Sequence, residues 1–138
     1  MALVLDSGVV FAALDADDPD HEACAALLSD ANESLVAPAL ILAEVDYWCQ
    51  RRLGPQAWLA FLEDLLAGAY SVECPTQADM ERCYELQRTY ADLKVGIVDT
   101  SVLAVAERLG EPKLATLDRR HFTTMRPRHV HAIELLPS

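Results

Sequence analysis

The first 50 residues of this chain contain no lysine and no arginine, although they hold ten aspartates and glutamates. Over all 138 residues, 22 acidic residues outnumber 11 basic ones and give a net charge of −11. This balance argues against a protein that coats nucleic acid through bulk positive charge, and against attraction to an anionic membrane surface. The basic residues are unevenly placed, because residues 119–131 contain four arginines and three histidines and no acid.

Long apolar runs are also missing. No stretch approaches the roughly 20 apolar residues that cross a bilayer. The N-terminus has no basic segment followed by an apolar stretch, so we expect neither a membrane span nor a signal peptide. The four cysteines form no CxxC pair and no metal-ligand spacing, and most lie in apolar stretches. We therefore expect reduced core thiols in a cytoplasmic protein.

Short apolar segments alternate with amphipathic ones along the chain, and hydrophobic residues make up 52% of it. The pattern predicts strands at residues 3–5, 34–37, 70–74, 113–117 and 132–135, and helices at 7–14, 20–30, 38–53, 55–66, 76–90 and 98–109. This alternation predicts one α/β domain over residues 1–138, with a parallel sheet that is covered by helices on both faces. Ligands of such sheets bind beyond the carboxyl ends of the strands.

Two of the predicted strands end in an aspartate. Asp6 follows the strand 3–5, and Asp118 follows the strand 113–117. If the strands are parallel, both carboxylates lie at the same edge of the sheet. Taken alone, each aspartate is also explained as a turn or helix-cap residue.

Two further acids are expected near this edge. On a helical projection Glu44 falls inside the apolar arc of its helix, whereas Asp46 falls outside it. A carboxylate on a core-facing stripe is costly unless it is protonated, bound to a cation or paired, for example with an arginine. Asp99 lies at the start of the helix 98–109, where it can cap the helix and still point into the strand-end crevice.

The candidate site therefore consists of carboxylates without an obvious basic partner. Its members are Asp6, Glu44, Asp99 and Asp118. Carboxylate and water oxygens suit Mg²⁺, with Mn²⁺ as a plausible substitute. No histidine occupies these positions, so zinc is not favoured.

Four ordered segments resemble the PIN-domain ribonucleases, and more closely the VapC-type toxins of bacterial toxin–antitoxin pairs. The segments are VLDSGVV, APALILAEV, GIVDTSVLAVAERLG and LATLDRRHF, and the similarity covers essentially the whole chain. The resemblance implies a three-layer α/β/α sandwich with a central parallel sheet of about five strands, and Mg²⁺-dependent endonucleolytic cleavage of RNA. It places the family's acidic positions on the four acids named above.

The same resemblance assigns supporting positions. Ser7 matches a hydroxyl residue that often follows the first aspartate, and Thr116 matches the small hydroxyl residue two positions before the last one. Gly8 departs from the Ser or Asn that is frequent there, and Asp92 occupies a frequently acidic position that we do not count as a ligand. The resemblance also implies a small antitoxin protein as partner and a homodimer.

The basic segment supplies candidates for contacts to the RNA backbone. These are Arg119, Arg120, His121, Arg126 and Arg128, for which a solvated charged loop is the alternative. Single-stranded or loop RNA is the expected target, because the fold has no groove-reading helix motif. Trp48, Trp58, Leu59 and Leu62 are candidates for an apolar groove that receives the antitoxin, although core packing explains them equally well.

Other functions remain open at this point. Phosphatases of the haloacid dehalogenase type need a second aspartate two residues after the first, where this chain has Gly8. Receiver domains need an early acidic pair and a lysine after a late strand, and both are missing. The alternatives are a metal-dependent phosphatase of another α/β family and a catalytically inactive PIN-like binding module.

Overall fold

The structure is a computed structural model that describes residues 1–138. Its single sheet contains five strands, and all of them run parallel. The strands are β1 (Ala2–Leu5), β2 (Ser34–Pro38), β3 (Ser71–Glu73), β4 (Lys113–Ala115) and β5 (Glu134–Leu136), in the order β3-β2-β1-β4-β5. The helices are α1 (Ser7–Leu14), α2 (His21–Ser29), α3 (Ile41–Arg52), α4 (Pro55–Leu66), α5 (Gln77–Thr89), α6 (Ile97–Leu109) and α7 (Arg119–Thr124), with a 3₁₀ turn at Ala91–Leu93. The predicted α/β fold with a five-stranded parallel sheet is confirmed.

The centre of the molecule is built from β1 and the middle of α6, which are buried on every side. Leu3, Val4 and Leu5 of β1 are buried, as expected for a strand covered on both faces. Residues 100–106 of α6 are also buried throughout, and this helix contacts β1 and β2. The two polar residues in this stretch, Thr100 and Ser101, donate their hydroxyls to backbone carbonyls at the start of the helix. Because its middle is buried, α6 can present its first turn to the end of the sheet.

The strand order changes direction at β1, the central strand of the sheet: β2 and β3 lie on one side of it, and β4 and β5 lie on the other. This strand pairs with β2 on one side and with β4 on the other. The N–H of Asp6, the first residue after β1, still donates to the carbonyl of Ala115 in β4 at 2.8 Å. The two strands separate just beyond this bond. In parallel sheets such a switch point opens a crevice for ligands.

The sequence-based boundaries needed four corrections. Pro38 is the last residue of β2, where it lies opposite Glu73 of β3. It does not open a helix, because α3 begins only at Ile41. Strand β4 ends at Ala115, two residues early, where Thr116 turns toward Asp6. Strand β5 was predicted two residues too early, and the short helix α7 was not predicted.

None of the helices is long and apolar enough to cross a membrane. All four cysteines are free thiols, and three of them are buried, namely Cys24, Cys49 and Cys83. The fourth, Cys74, is exposed.

Candidate metal centre

Asp6 lies at the end of the central strand and is almost fully buried, with 5% of its surface exposed. One carboxylate oxygen accepts a hydrogen bond from the Ser7 N–H at 2.8 Å and thereby caps α1. The other oxygen accepts from the Thr116 hydroxyl at 2.8 Å. These two bonds fix the carboxylate at the switch point between β1 and β4.

Glu44 reaches the same place from the first turn of α3. It is half-buried, and its Oε1 accepts a hydrogen bond from the Ser7 hydroxyl at 2.7 Å. No arginine or lysine forms an ion pair with Glu44, so the arginine-paired alternative is not what the structure contains. Ser7 therefore holds Glu44 beside Asp6, using its hydroxyl for one acid and its N–H for the other.

Asp99 and Asp118 are joined by a histidine that the sequence analysis did not place among the acids. Nδ1 of His121 lies 2.8 Å from Oδ2 of Asp99 and 2.7 Å from Oδ2 of Asp118. Asp118 also caps α7, because its Oδ1 accepts from the His121 N–H at 3.0 Å. One ligand atom from each of these three side chains lies within 4.8 Å of the others.

Thr116 connects the two groups of acids. Its hydroxyl donates to Asp6 and accepts from the Asp118 N–H at 3.0 Å. The structure thus brings all four predicted acids to one edge of the sheet, with Ser7 and Thr116 in the supporting positions. Asp92, in the exposed 3₁₀ turn, makes no hydrogen bond to any of them.

Burial and mutual repulsion make the charged state of these acids unfavourable. Burial, followed by the charges of Asp99 and Glu44, raises the pKa of Asp6 to about 7, against the lowering effect of the hydrogen bonds from Thr116 and Ser7. Burial also raises the pKa of Asp99, with the charges of Asp118 and Glu44 adding to it and His121 opposing it. Buried acids without a compensating cation are unfavourable to ionise, and a cation reverses this.

The donor set fits a divalent cation. It offers several carboxylate oxygens, which suit Mg²⁺ and Mn²⁺, and one imidazole nitrogen, which is a more usual ligand of transition-metal ions than of Mg²⁺. The contacts of 2.7 and 2.8 Å around His121 are hydrogen-bond or ion-pair distances, so the imidazole holds the carboxylates of Asp99 and Asp118 close together.

The sequence analysis missed His121 as a member of this cluster and assigned it only to the basic segment. The signal was present, because Asp118 is an N-cap residue and His121 occupies the third position of the helix that it caps. Phe122 and Met125, three residues apart and both buried, mark the apolar side of α7. A six-residue helix is too short for periodicity to reveal it.

The arginines of the basic segment differ in their surroundings. Arg119 donates to the carbonyl of Pro137 at 3.0 Å, and Arg128 forms an exposed ion pair with Glu85. The guanidinium groups of Arg120 and Arg126 form no hydrogen bond or ion pair. The segment is therefore partly tied to the protein surface and partly free.

Comparison with known proteins places this chain in a family. The PIN domain model matches residues 3–126. The chain is 33% identical to Ribonuclease VapC26 of Mycobacterium tuberculosis over 125 residues, which are 91% of this chain and 93% of that protein.

Solved structures share the fold at lower identity. VapC20 of Mycobacterium tuberculosis, described as a sarcin-ricin loop cleaving toxin, matches with a TM-score of 0.81 at 20% identity, covering 95% of this chain and 99% of that one. VapBC2 from Rickettsia felis, bound to a DNA fragment from its promoter, matches with a TM-score of 0.66 at 19% identity, covering 91% of this chain and 93% of that one.

Proposed function

Because the chain belongs to the PIN-domain family, we propose that it is a metal-dependent endoribonuclease and the toxin of a toxin–antitoxin pair. The observation that carries this proposal is the cluster of four acids that has no lysine or arginine partner. His121 is the one basic neighbour of these carboxylates, and a core that only needed to fold has no use for so many acids in one place, since gathering them away from water is unfavourable. The relative named Ribonuclease VapC26 supports the same activity.

We expect the four acids to differ in how directly they bind the metal ion. Asp6 and Asp99 are the first candidates for direct ligands, since burial raises the pKa of both carboxyls and the charge of Asp99 raises that of Asp6 further. Glu44 and Asp118 complete the site directly or through water. A bound divalent ion supplies an activated water and stabilises charge on the phosphate, so the chain needs no serine, cysteine or histidine nucleophile.

The supporting hydroxyls hold the ligands in place. Ser7 orients Glu44, and Thr116 orients Asp6 and the backbone of Asp118. Residues that orient metal ligands in this manner commonly contribute 10- to 100-fold to metal affinity or activity.

Mg²⁺ is the expected ion, with Mn²⁺ as the substitute. His121 adds a nitrogen ligand to the oxygen set, and an imidazole suits Mn²⁺ better than Mg²⁺. Mn²⁺ should therefore bind more tightly to this site than Mg²⁺.

The substrate is RNA, with the scissile phosphate at the acidic edge and neighbouring phosphates on the basic segment. Arg120 and Arg126 are the first candidates for these contacts because their guanidinium groups have no protein partner, followed by Arg119 and Arg128. Single-stranded or loop RNA is the expected form. As implied by the family, the products carry a 3′-hydroxyl and a 5′-phosphate.

An antitoxin protein is the second proposed partner, as in the toxin–antitoxin complexes whose fold this chain shares. Of the apolar residues predicted for its groove, Trp48 and Leu59 are 38% and 47% exposed. Trp58 and Leu62 are half-buried, and Trp58 stacks on Phe61. A homodimer is proposed from the family alone.

Two acids on the same helix provide a matched test of the activity. Glu44 belongs to the site, whereas Asp46 lies outside it and accepts a hydrogen bond from Gln50. RNA cleavage by the purified chain should require Mg²⁺ or Mn²⁺, should stop with a chelator, and should fall at least about 10-fold in Glu44→Gln. Asp46→Asn removes the same charge and should cleave at the wild-type rate.

The outcome separates an enzyme from an inactive binding module of the same fold. Metal-independent cleavage, or equal rates for the two variants, would contradict the proposed site. A folded wild-type chain that cleaves no RNA from a complex cellular pool would support the binding module.

A further inference from the structure

A second pocket lies directly beside the acids and is not explained by the metal site. It has a volume of about 210 Å³ and is lined by Ser7, Gly8, Phe11, Asp18, Trp48, Arg52 and Leu117. Ser7 and Gly8 follow Asp6 in sequence, and Leu117 precedes Asp118. The pocket therefore lies next to the acids at which the scissile phosphate is proposed to bind.

One face of α3 connects the metal site with the pocket. Glu44, Trp48 and Arg52 are spaced four residues apart and therefore follow one another along the same side of the helix. Trp48 is 38% exposed, which is unusual for a large aromatic side chain next to a buried site.

Arg52 is a cation without a carboxylate partner. Its Cζ lies 4.9 Å from the centre of the Trp48 ring and 6.0 Å from that of Phe11, and it forms no ion pair or hydrogen bond. Its contact with the two rings places the flat guanidinium in the pocket wall with its donors unused.

The charges in and around the pocket favour a base over a phosphate. Asp18 lies in the pocket wall with Arg52, and Glu44 is one helical turn from Trp48, so the single positive charge faces two negative ones and the pocket has no excess positive charge for a phosphate. A nucleobase is neutral, and it carries both hydrogen-bond acceptors for Arg52 and donors for Asp18. Single-stranded RNA bases commonly stack on aromatic rings and arginine planes.

We propose that this pocket binds an unpaired nucleobase of the RNA substrate next to the scissile phosphate, by stacking with Trp48 and Arg52. This proposal rests on the proposed ribonuclease function. Gly8 and Leu117 complete the wall of the pocket beside Ser7. The pocket would then determine which RNA loops are cut.

Binding of single-stranded RNA hexamers with one abasic position tests the proposal. The full-length Asp6→Asn chain in Mg²⁺ prevents cleavage, and fluorescein-labelled hexamers differ only in which position lacks its base. One abasic position should weaken binding about 5- to 150-fold, the effect of losing one stacked base, while the others change it little. This dependence on position should disappear in an added Arg52→Ala, and also in Arg52→Lys, which keeps the charge but not the plane.

Arg51→Ala is the matched control. Arg51 lies over the Tyr47 ring at 5.3 Å, so the variant loses the same charge and the same type of contact on the same helix, outside the pocket. It should keep the dependence on the abasic position. The proposal is overturned if no abasic position affects binding, or if Arg51→Ala removes the dependence as completely as Arg52→Ala.

A failure of this proposal is distinct from a failure of the ribonuclease function. If the wild type cleaves RNA but binding does not depend on the abasic position, the ribonuclease function stands and the base-binding proposal is wrong. The pocket would then be a site for a protein segment. A dependence on abasic position without wild-type cleavage would keep the pocket and contradict the enzyme.

Discussion

The acidic side chains at the two ends of α6 differ in whether an arginine is paired with them. At the C-terminal end, Glu107 forms a two-bond ion pair with Arg82, with N–O distances of 2.8 and 2.9 Å. Arg108 pairs with Asp79 at 2.9 Å. At the N-terminal end, Asp99 and the acids around it have no lysine or arginine partner.

The contrast does not come from depth in the protein. Asp79 is 4% exposed and Asp6 is 5% exposed, so both are removed from water to the same degree. One has an arginine and a place in the capping box of α5. The other has a pKa raised to about 7, chiefly by its burial. The first arrangement stabilises the fold, whereas the second is unfavourable until a cation arrives.

Neutralising one acid at each end of α6 should separate activity from folding. Asp99→Asn should lower the rate of RNA cleavage by at least about 100-fold, because a direct ligand matters more than the residues that orient it. Glu107→Gln should cleave at close to the wild-type rate per folded molecule. The rates are compared at equal folded concentration, determined by circular dichroism, and an active Asp99→Asn would break the comparison.

The stabilities should change in the opposite order. Glu107→Gln should lose about 2 kcal/mol of unfolding free energy, because it leaves the nearly buried Arg82 without its charged partner. Asp6→Asn should lose none, because its amide can still accept from the Ser7 N–H and donate to the Thr116 hydroxyl. Urea denaturation of the metal-free proteins measures both, and a larger loss in Asp6→Asn would contradict the account.

The metal-free protein should become less stable as the pH rises from about 4 to about 7. Asp6 keeps its proton in the folded state up to about pH 7, but it loses it near pH 3.8 when unfolded. The folded state therefore binds more protons in this range, and the unfolding free energy falls by at most about 1.4 kcal/mol per pH unit from this group.

Asp6→Asn isolates this contribution. The difference in stability between wild type and variant, measured with a chelator present, should vary with pH only in this range. A difference that stays constant from pH 4 to pH 7 would show that burial does not perturb Asp6.

His121→Asn should change the relative affinity for Mn²⁺ and Mg²⁺ more than it changes the stability of the fold. Loss of the imidazole removes the nitrogen ligand, so we expect the preference for Mn²⁺ over Mg²⁺ to shrink by about 10-fold. Titration calorimetry with each ion gives the ratio of affinities. An unchanged ratio would mean that His121 only positions the two aspartates.

The sequence predicts the positions of the four acids better than it predicts their surroundings. Asp6 and Asp118 were located because strand ends of a parallel sheet meet at one edge, which is a rule of topology. The place of His121 between two acids depends on a six-residue helix whose capping residue is itself one of the acids. Pairings such as Arg82 with Glu107 join residues 25 positions apart and follow from tertiary packing alone.

The most direct test of the central claim is a titration of the metal-free chain with Mn²⁺, followed by calorimetry, in wild type, Asp99→Asn and Glu107→Gln. The account predicts saturable binding to wild type and Glu107→Gln, and no measurable binding to Asp99→Asn at the same concentrations. Equal binding by all three proteins, or none by wild type, would contradict the claim that the acids without arginine partners form a metal site.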